Sequence, residues 1–301
     1  MQYQQLKCIF TFPGDSDAVE SIDISSDGQT LVSGSWSDGT IKIWNLLTKE
    51  LKQTLAGHEL AVSAVKISPN QQIIASGSRD ETVKLWDLNT GNLKHTLKTY
   101  GEEVDKEIAC VLFSLDSQNI YTATEGGSTY FWDVNTGQKL GNLGIMSTGC
   151  SHLDISWDGG TIAGIYLDNL YIFDPPRKKR SAITTGFNNC SVAVSPNGET
   201  IYISDNKGKI HLWNSQTAQR TVTLTGHLGR VRKITISPNK QILASGDEDG
   251  IIKLWDLNSQ TELCSFTAHS ADITGLVFTP DSQNIISSGD TTIKVWESKT
   301  I

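Results

Sequence analysis

An aromatic residue followed by an acid or an amide recurs along this chain: Trp44-Asn45, Trp86-Asp87, Trp132-Asp133, Phe173-Asp174, Trp213-Asn214, Trp255-Asp256 and Trp296-Glu297. The spacings are 42, 46, 41, 40, 42 and 41 residues. A period near 41 constrains the fold more than any other feature. A unit of that length is one supersecondary motif that cannot bury its own faces, so copies must stack to form a continuous core. The longest spacing contains the polar stretch 99–107.

The unit 57–97 shows what repeats. It opens with Gly57-His58, followed by an alternating run from Val62 to Ser68, a turn at Pro69-Asn70 and an apolar run from Ile73 to Gly77. A second turn leads into Thr82 to Leu88, and Asn89-Thr90-Gly91 turns the chain into Leu93 to Leu97. These are four short strands separated by turn chemistry, and four strands in about 40–45 residues is the pattern of a propeller blade. The expected fold is therefore all-β: a seven-bladed β-propeller with four antiparallel strands per blade, formed by residues 1–301 as one domain. Blades are expected at about 14–55, 57–97, 99–143, 145–184, 185–224, 226–266 and 268–301. The seventh unit ends without a fourth strand. Leu6-Lys7-Cys8-Ile9-Phe10 parallels Leu51-Lys52-Gln53-Thr54-Leu55, so residues 6–12 are expected to complete the last blade and close the ring.

Composition narrows the function classes. The net charge of −8 disfavours nonspecific nucleic-acid binding. No apolar run approaches the length that spans a bilayer, and the first residues lack a signal peptide's apolar core. Cys8, Cys110, Cys150, Cys190 and Cys264 are dispersed, which reads as reduced thiols in a cytoplasmic chain and not as a disulfide framework or zinc site. A monomer without a cofactor is expected.

Gly57-His58…Trp86-Asp87 and Gly226-His227…Trp255-Asp256, with Ala268-His269…Trp296-Glu297 as a near match, carry a resemblance to the WD-repeat family over the whole length. Turns such as Asp87-Leu88-Asn89-Thr90-Gly91 resemble those of bacterial WD-repeat proteins. The resemblance implies a hydrogen-bonded tetrad of His, Ser or Thr, Asp and Trp in each complete blade. The matching positions are His58, Ser76, Asp80 and Trp86 in blade 2; His227, Ser245, Asp249 and Trp255 in blade 6; and His269, Ser288, Asp290 and Trp296 in blade 7. Blade 1 keeps Ser33, Asp38 and Trp44 but has Asp15 at the His position. Blade 3 keeps Trp132 with Thr122, blade 5 keeps Trp213 with Ser204, and blade 4 has Phe173 in place of Trp.

A Ser, His and Asp set invites a catalytic reading, but here it recurs three times with a Trp attached. Nothing places a serine on a strained, exposed turn, and no P-loop, dinucleotide fingerprint or H-E-x-x-H occurs. The acidic turn Asp247-Glu248-Asp249-Gly250 lacks EF-hand spacing. The expectation is a chain without catalytic or metal-binding residues.

The resemblance implies a scaffold that docks a protein or peptide on the face around the channel mouth, which is built from the blade-opening loops and the second-to-third-strand turns. Alternatives are a sensing or docking module of a bacterial signalling protein, for example one linked to a kinase, and a ligand-binding or enzymatic propeller. The residue before each first strand is Ala18, Ala61, Glu107, Gly149, Asn188, Arg230 or Asp272 in blades 1 to 7. From this ring and the neighbouring turns, the candidate partner-binding face comprises Trp36, Arg79, Glu103, Glu107, Phe187, Asn188, Arg230 and Asp272. Exposed aromatics and arginine are the side chains that most often anchor interfaces. The openings of blades 1 to 3 are acidic and that of blade 6 is basic, a distribution suited to steering a charged partner. The run Arg177-Lys178-Lys179-Arg180 reads as a solvated linker.

Overall fold

The computed structural model describes residues 6–14, 18–98, 107–126, 128–142, 152–174 and 179–298. Among these residues every regular element is a strand, and no helix occurs. The strands are β1 (Leu6–Pro13); β2 (Val19–Ile24), β3 (Thr30–Ser35), β4 (Ile41–Asn45) and β5 (Glu50–Leu55); β6 (Val62–Ile67), β7 (Ile73–Ser78), β8 (Thr82–Asp87) and β9 (Leu93–Lys98). Next come β10 (Ile108–Phe113), β11 (Asn119–Thr124), β12 (Thr129–Asp133) and β13 (Lys139–Asn142); then β14 (His152–Ile155), β15 (Ile162–Tyr166), β16 (Asn169–Asp174) and β17 (Lys179–Thr184). The last are β18 (Asn189–Val194), β19 (Thr200–Asp205), β20 (Lys209–Asn214) and β21 (Arg220–Thr225); β22 (Val231–Ile236), β23 (Ile242–Asp247), β24 (Ile251–Asp256) and β25 (Thr261–Thr267); and β26 (Ile273–Phe278), β27 (Asn284–Gly289) and β28 (Thr292–Ser298).

They form seven four-stranded antiparallel sheets, the blades of the β-propeller class. Six sheets take their strands in chain order. The seventh has the order β1-β28-β27-β26, so the N-terminal strand supplies the outer strand of the last blade. Phe12 anchors that strand in the core. Two compact units divide the chain, Glu20–Leu153 with blades 1 to 3, and Met1–Val19 plus Asp154–Ile301 with blades 4 to 7.

Within each unit, successive blades share apolar clusters. Val32, Ile41 and Ile43 of blade 1 meet Val62, Val65 and Ile74 of blade 2, and Ala75, Val83 and Leu85 of blade 2 meet Ile108, Val111 and Ile120 of blade 3. In the second unit, Ala163, Ile165 and Leu170 pack on Val192, Val194 and Ile201, and Ala244, Ile252 and Leu254 pack on Ile273, Leu276 and Ile285. The second strand of a blade is covered on both faces, which is why β7 and β23 are buried throughout, without alternation of apolar and exposed positions. Close approach matters too. A Cβ on Gly246 would lie 2.5 Å from Ile273 of the next blade, so that position tolerates no side chain without displacing the stack.

The acid or amide after each aromatic has a local task. Asn45 accepts the backbone N–H groups of Leu47 and Thr48 at 2.8 and 2.9 Å, and Asp87 does the same for Asn89 and Thr90 at 3.1 and 3.0 Å. Asp133, Asn214 and Asp256 repeat the pattern, folding the turn from third to fourth strand. Backbone donation from Thr90 and the Lys94 ammonium hold the Asp87 carboxyl down at about 2. Glu297 stands where no such turn is needed, because the fourth strand of blade 7 comes from the other end of the chain.

Candidate partner-binding face

In an antiparallel four-stranded blade, the opening loop and the second-to-third-strand turn lie at one end, and the other two turns lie at the opposite end. The buried polar network that ties the first end together decides which side chains remain to meet a partner.

In blade 2, Trp86 Nε1 donates to Ser76 Oγ at 2.9 Å, and Ser76 Oγ lies 2.7 Å from His58 Nε2. His58 Nδ1 lies 2.8 Å from Asp80 Oδ2. The chain of donors is consistent when Ser76 donates to Nε2 and Nδ1–H donates to the carboxylate. Asp80 also accepts Glu59 N and, through its other oxygen, Thr82 N and Oγ1. Burial opposes ionisation of Asp80, but the bonds from His58 and Thr82 outweigh it and hold the carboxyl well below the usual range. Ser76 is fully buried and its oxygen is taken up by Trp86 and His58, so this set ties the opening loop to the blade and presents no nucleophile.

Blades 6 and 7 use different residues from those expected. In blade 6, Trp255 Nε1 donates to Ser245 at 2.8 Å, Ser245 lies 2.7 Å from His227 Nε2, and His227 Nδ1 pairs with Asp247 Oδ2 at 2.7 Å. The carboxylate is Asp247, the last residue of β23, and not Asp249. Asp249 is exposed on the turn, where its N–H donates to Asp247. Asp247 takes both tasks, since it also accepts Ile251 N, as Asp80 accepts Thr82 N in blade 2. In blade 7 the hydroxyl is Ser287, 2.8 Å from both Trp296 Nε1 and His269 Nε2, and not Ser288. Ser288 lies on the other face, 3.1 Å from Thr274 Oγ1. The separation of serine and tryptophan is ten residues in blades 2 and 6 and nine in blade 7, so the intervening turn of blade 7 is one residue shorter. Asp290 lies 3.3 Å from His269 Nδ1. Burial lowers the His269 pKa against the pull of Asp290, with Lys294 acting in the same direction as burial.

Register explains every case. The hydroxyl sits two residues beyond the residue paired with the Trp: Leu31 and Ser33, Ile74 and Ser76, Ile120 and Thr122, Leu243 and Ser245, Ile285 and Ser287. Trp44 and Trp132 accordingly donate to Ser33 and Thr122, each at 3.0 Å. In blade 5 the partner of Trp213 is Ile201, so the hydroxyl position falls on Ile203. Ser204 points away and donates to Val231 O of the next blade at 2.8 Å, and the buried Trp213 N–H has no acceptor among the described residues. Blade 4 combines Phe173 with Gly164 at the same two positions.

Blade 5 carries a network that the sequence did not disclose. His211, on the third strand, lies 3.0 Å from Asp205 Oδ2 and 3.1 Å from Thr223 Oγ1, and Phe187 stacks on it with centroids 3.9 Å apart. Asp205 ends β19 as Asp247 ends β23. Burial of its carboxyl is outweighed by the His211 bond and by the N–H groups of Lys209 and Lys207. The shared Asp-x-x-Gly turn was the available signal. Phe187 is thus half-buried against its own blade, not an exposed anchor.

The predicted face residues divide between the two units. In the first, Trp36, Arg79 and Glu107, one from each blade, form a contiguous row. The Arg79 guanidinium lies 4.0 Å from the centre of the Trp36 ring, and its Nε is 3.4 Å from Glu107 Oε2. In the second, Arg230 Nε donates to Cys190 Sγ at 3.1 Å, Arg232 pairs with Asp272 at 3.4 Å, and Asn188 is exposed. Glu103 and Gly149, with Asp15 of blade 1, lie outside the described residues. Leu228, missed by the sequence reading, is 94% exposed beside Arg230. Cys190 and Arg232 come from a bulge one residue into the first strand, which also turns Ser63 and Thr274 toward the next blade, where they donate to Ile108 O and Val19 O. A groove of about 530 Å³ at the opposite end of blades 4 and 5 is lined by Asp158, Thr161, Asp174, Glu199 and Gln216. Its lining is too polar for the mostly apolar kind of small-molecule pocket.

The WD domain, G-beta repeat family matches residues 6–45, 49–87, 218–256 and 260–297, together more than half of the chain. The chain belongs to the WD-repeat family. Each match begins on or just before the fourth strand of one blade and ends at the third strand of the next, so β1 is an integral part of the first repeat. The matched repeats are those of blades 1, 2, 6 and 7, and the segment between them holds blades 3 to 5, where the tetrads are incomplete. Human apoptotic protease-activating factor 1 is 25% identical over 70% of this chain and 17% of its own length. The guanine nucleotide-binding protein subunit beta of rice is 26% identical over 54% of this chain and 45% of its own. Rice small ribosomal subunit protein RACK1y is 37% identical over 21% of each. The chain thus spans about a sixth of the first of these relatives and under half of the second. WD-repeat propellers typically serve as protein-interaction scaffolds.

Proposed function

We propose that this WD-repeat chain is a non-catalytic scaffold that docks a protein or peptide on the blade ends carrying the opening loops and second-to-third-strand turns. The observation that carries the reading is the row of Trp36, Arg79 and Glu107. It presents an aromatic and an arginine, the side chains that most often dominate interfaces, at a place where no core demand explains them. Leu228 and Arg230 extend the reading to blade 6. The four described cysteines, Cys8, Cys110, Cys190 and Cys264, are free, which suits a cytoplasmic setting. The acidic balance suits a protein partner better than nucleic acid. A role as the docking module of a longer signalling protein is the second reading, favoured by the match to a small part of a much longer relative. The test is affinity capture from native lysate with the wild-type chain and a Trp36→Ala/Arg230→Ala double variant. Partners that the wild type retains and the variant loses support the reading. Equal capture by a folded variant overturns the choice of face.

A further inference from the structure

Trp36 stands on a turn packed closely against its neighbour. Gly39 in the same turn has a φ of +66°, and a Cβ there would lie 2.6 Å from His58 O and 2.9 Å from Leu60 O. The turn therefore sits directly on the opening loop of blade 2. Trp36 keeps 36% of its surface exposed although Arg79 lies over its ring, and Leu60 is 53% exposed on the loop below. The Arg79 Nε is ion-paired with Glu107 at 3.4 Å but is buried without a hydrogen-bond partner among the described residues.

The charges around this platform have one sign. Among the described residues, the opening loops and second-to-third-strand turns of blades 1 to 3 carry Asp38, Glu59, Glu81, Glu107 and Glu125, in addition to the half-buried Asp80 that His58 engages. Arg79 is the only lysine or arginine among them. The platform already accommodates one guanidinium between an aromatic face and a carboxylate. An anionic partner would meet five exposed or half-exposed carboxylates. A cationic one would meet the same carboxylates and an indole, whose face attracts cations.

We infer that this surface receives an arginine- or lysine-bearing segment of the partner, its charged head against Trp36 and the carboxylates of Glu59 and Glu107, its aliphatic stem over Leu60. This rests on the docking reading above and gives that docking a chemistry. The charge pattern favours association of basic over acidic segments.

The test uses the whole chain and a fluorescein-labelled Gly-Ser-Arg-Gly-Ser-Arg-Gly-Ser peptide, with versions in which lysine, glutamine or glutamate replaces arginine. Binding is read by fluorescence anisotropy at low and high salt. The arginine and lysine peptides are expected to bind, the glutamine peptide about tenfold more weakly, and the glutamate peptide not at all. Trp36→Ala and Glu107→Gln are each expected to weaken the arginine peptide about tenfold, and Trp36→Phe to restore part of the loss. Thermal melts of each variant separate lost binding from lost folding. No binding of the arginine peptide, equal affinity for the glutamine peptide, or binding unchanged by Trp36→Ala overturns the inference. If the lysate experiment still shows partners lost in the double variant, the docking reading survives and only its cationic chemistry fails.

Discussion

Two tryptophans in equivalent positions differ in one hydrogen bond, and that difference sets a measurable gap in stability. Trp255 and Trp213 are both buried on the third strand of their blades, paired in register with Leu243 and Ile201. Trp255 donates to Ser245, which is also bonded to His227, whereas the Trp213 N–H has no acceptor among the described residues. Trp255→Phe removes a satisfied donor and leaves Ser245 short of one, at a cost of about 1–3 kcal/mol. Trp213→Phe removes a donor that was already desolvated and unpaired, which relieves a penalty of roughly 1–3 kcal/mol. The loss of ring area is common to both and cancels in the comparison. Because Ser245 keeps its histidine, the lower half of the combined range applies, a gap of about 2–4 kcal/mol. For 301 residues, an unfolding entropy of about 2.1 cal/mol/K per residue converts this to a difference of roughly 3–6 °C in melting temperature. The assay is thermal denaturation followed by far-ultraviolet circular dichroism, with urea midpoints as a second measure. A Ser245→Ala/Trp255→Phe double variant should recover part of the single-variant cost, because both ends of the bond are then gone. Equal destabilisation by the two Trp→Phe changes, or a larger effect at Trp213, would refute the assignment of Ile203 to the hydroxyl position.

Other outcomes follow from the same networks. Asp247→Ala should cost about 3–5 kcal/mol, since it leaves His227 buried without its partner, whereas Asp249→Ala on the exposed turn should stay within about 0.5 kcal/mol; urea midpoints of the two variants decide between them. Deleting residues 1–12 removes the outer strand of blade 7 and the buried Phe12, and Phe12→Ala alone should cost about 3–5 kcal/mol; a deletion variant melting within about two degrees of the intact chain would contradict the part of β1 in the fold. The Asp80, Asp205, Asp247 and Asp290 carboxyls titrate lower in the fold than their unperturbed value. Their stabilisation is thus complete above about pH 4 and lost as pH falls through the folded values. His269 is also lowered, so its contribution is present above about pH 6.5 and lost as pH falls from there toward its folded value. His269→Gln should flatten the slope of stability against pH in that upper window and leave the acid limb in place, as read by urea midpoints across pH.

How far the sequence can be read depends on what each feature needs. The repeat period and the strands needed only local pattern, and the missing fourth strand of blade 7 matched the surplus strand at the N-terminus. His58, Ser76, Asp80 and Trp86 lay in a unit whose turn has the family's usual length, so counting along the chain sufficed. Counting failed where two candidates stood within two residues of each other. In blade 7, Ser287 and Ser288 are chemically identical, and only strand pairing tells them apart, because side chains alternate faces and a slip of one residue moves a hydroxyl from the tryptophan to the neighbouring blade. In blade 6, Asp247 and Asp249 are both acids, and the one at the end of the strand is carried inward to His227 while the one on the turn stays in water. The same limit hid the bulged residues Ser63, Cys190, Arg232 and Thr274, since a bulge adds a residue without leaving a mark in the hydrophobic pattern. The register rule supplies what was missing: the hydroxyl stands two residues past the partner of the tryptophan. It places Ile203 in blade 5 and Gly164 in blade 4, neither of which has a side chain that can accept a hydrogen bond, and in blade 4 Phe173 has none to give. These two blades fall in the stretch that the family repeat does not match, together with blade 3, which keeps its Trp132–Thr122 bond, so loss of the hydrogen bond accompanies the lost sequence signal in blades 4 and 5 without being its whole cause.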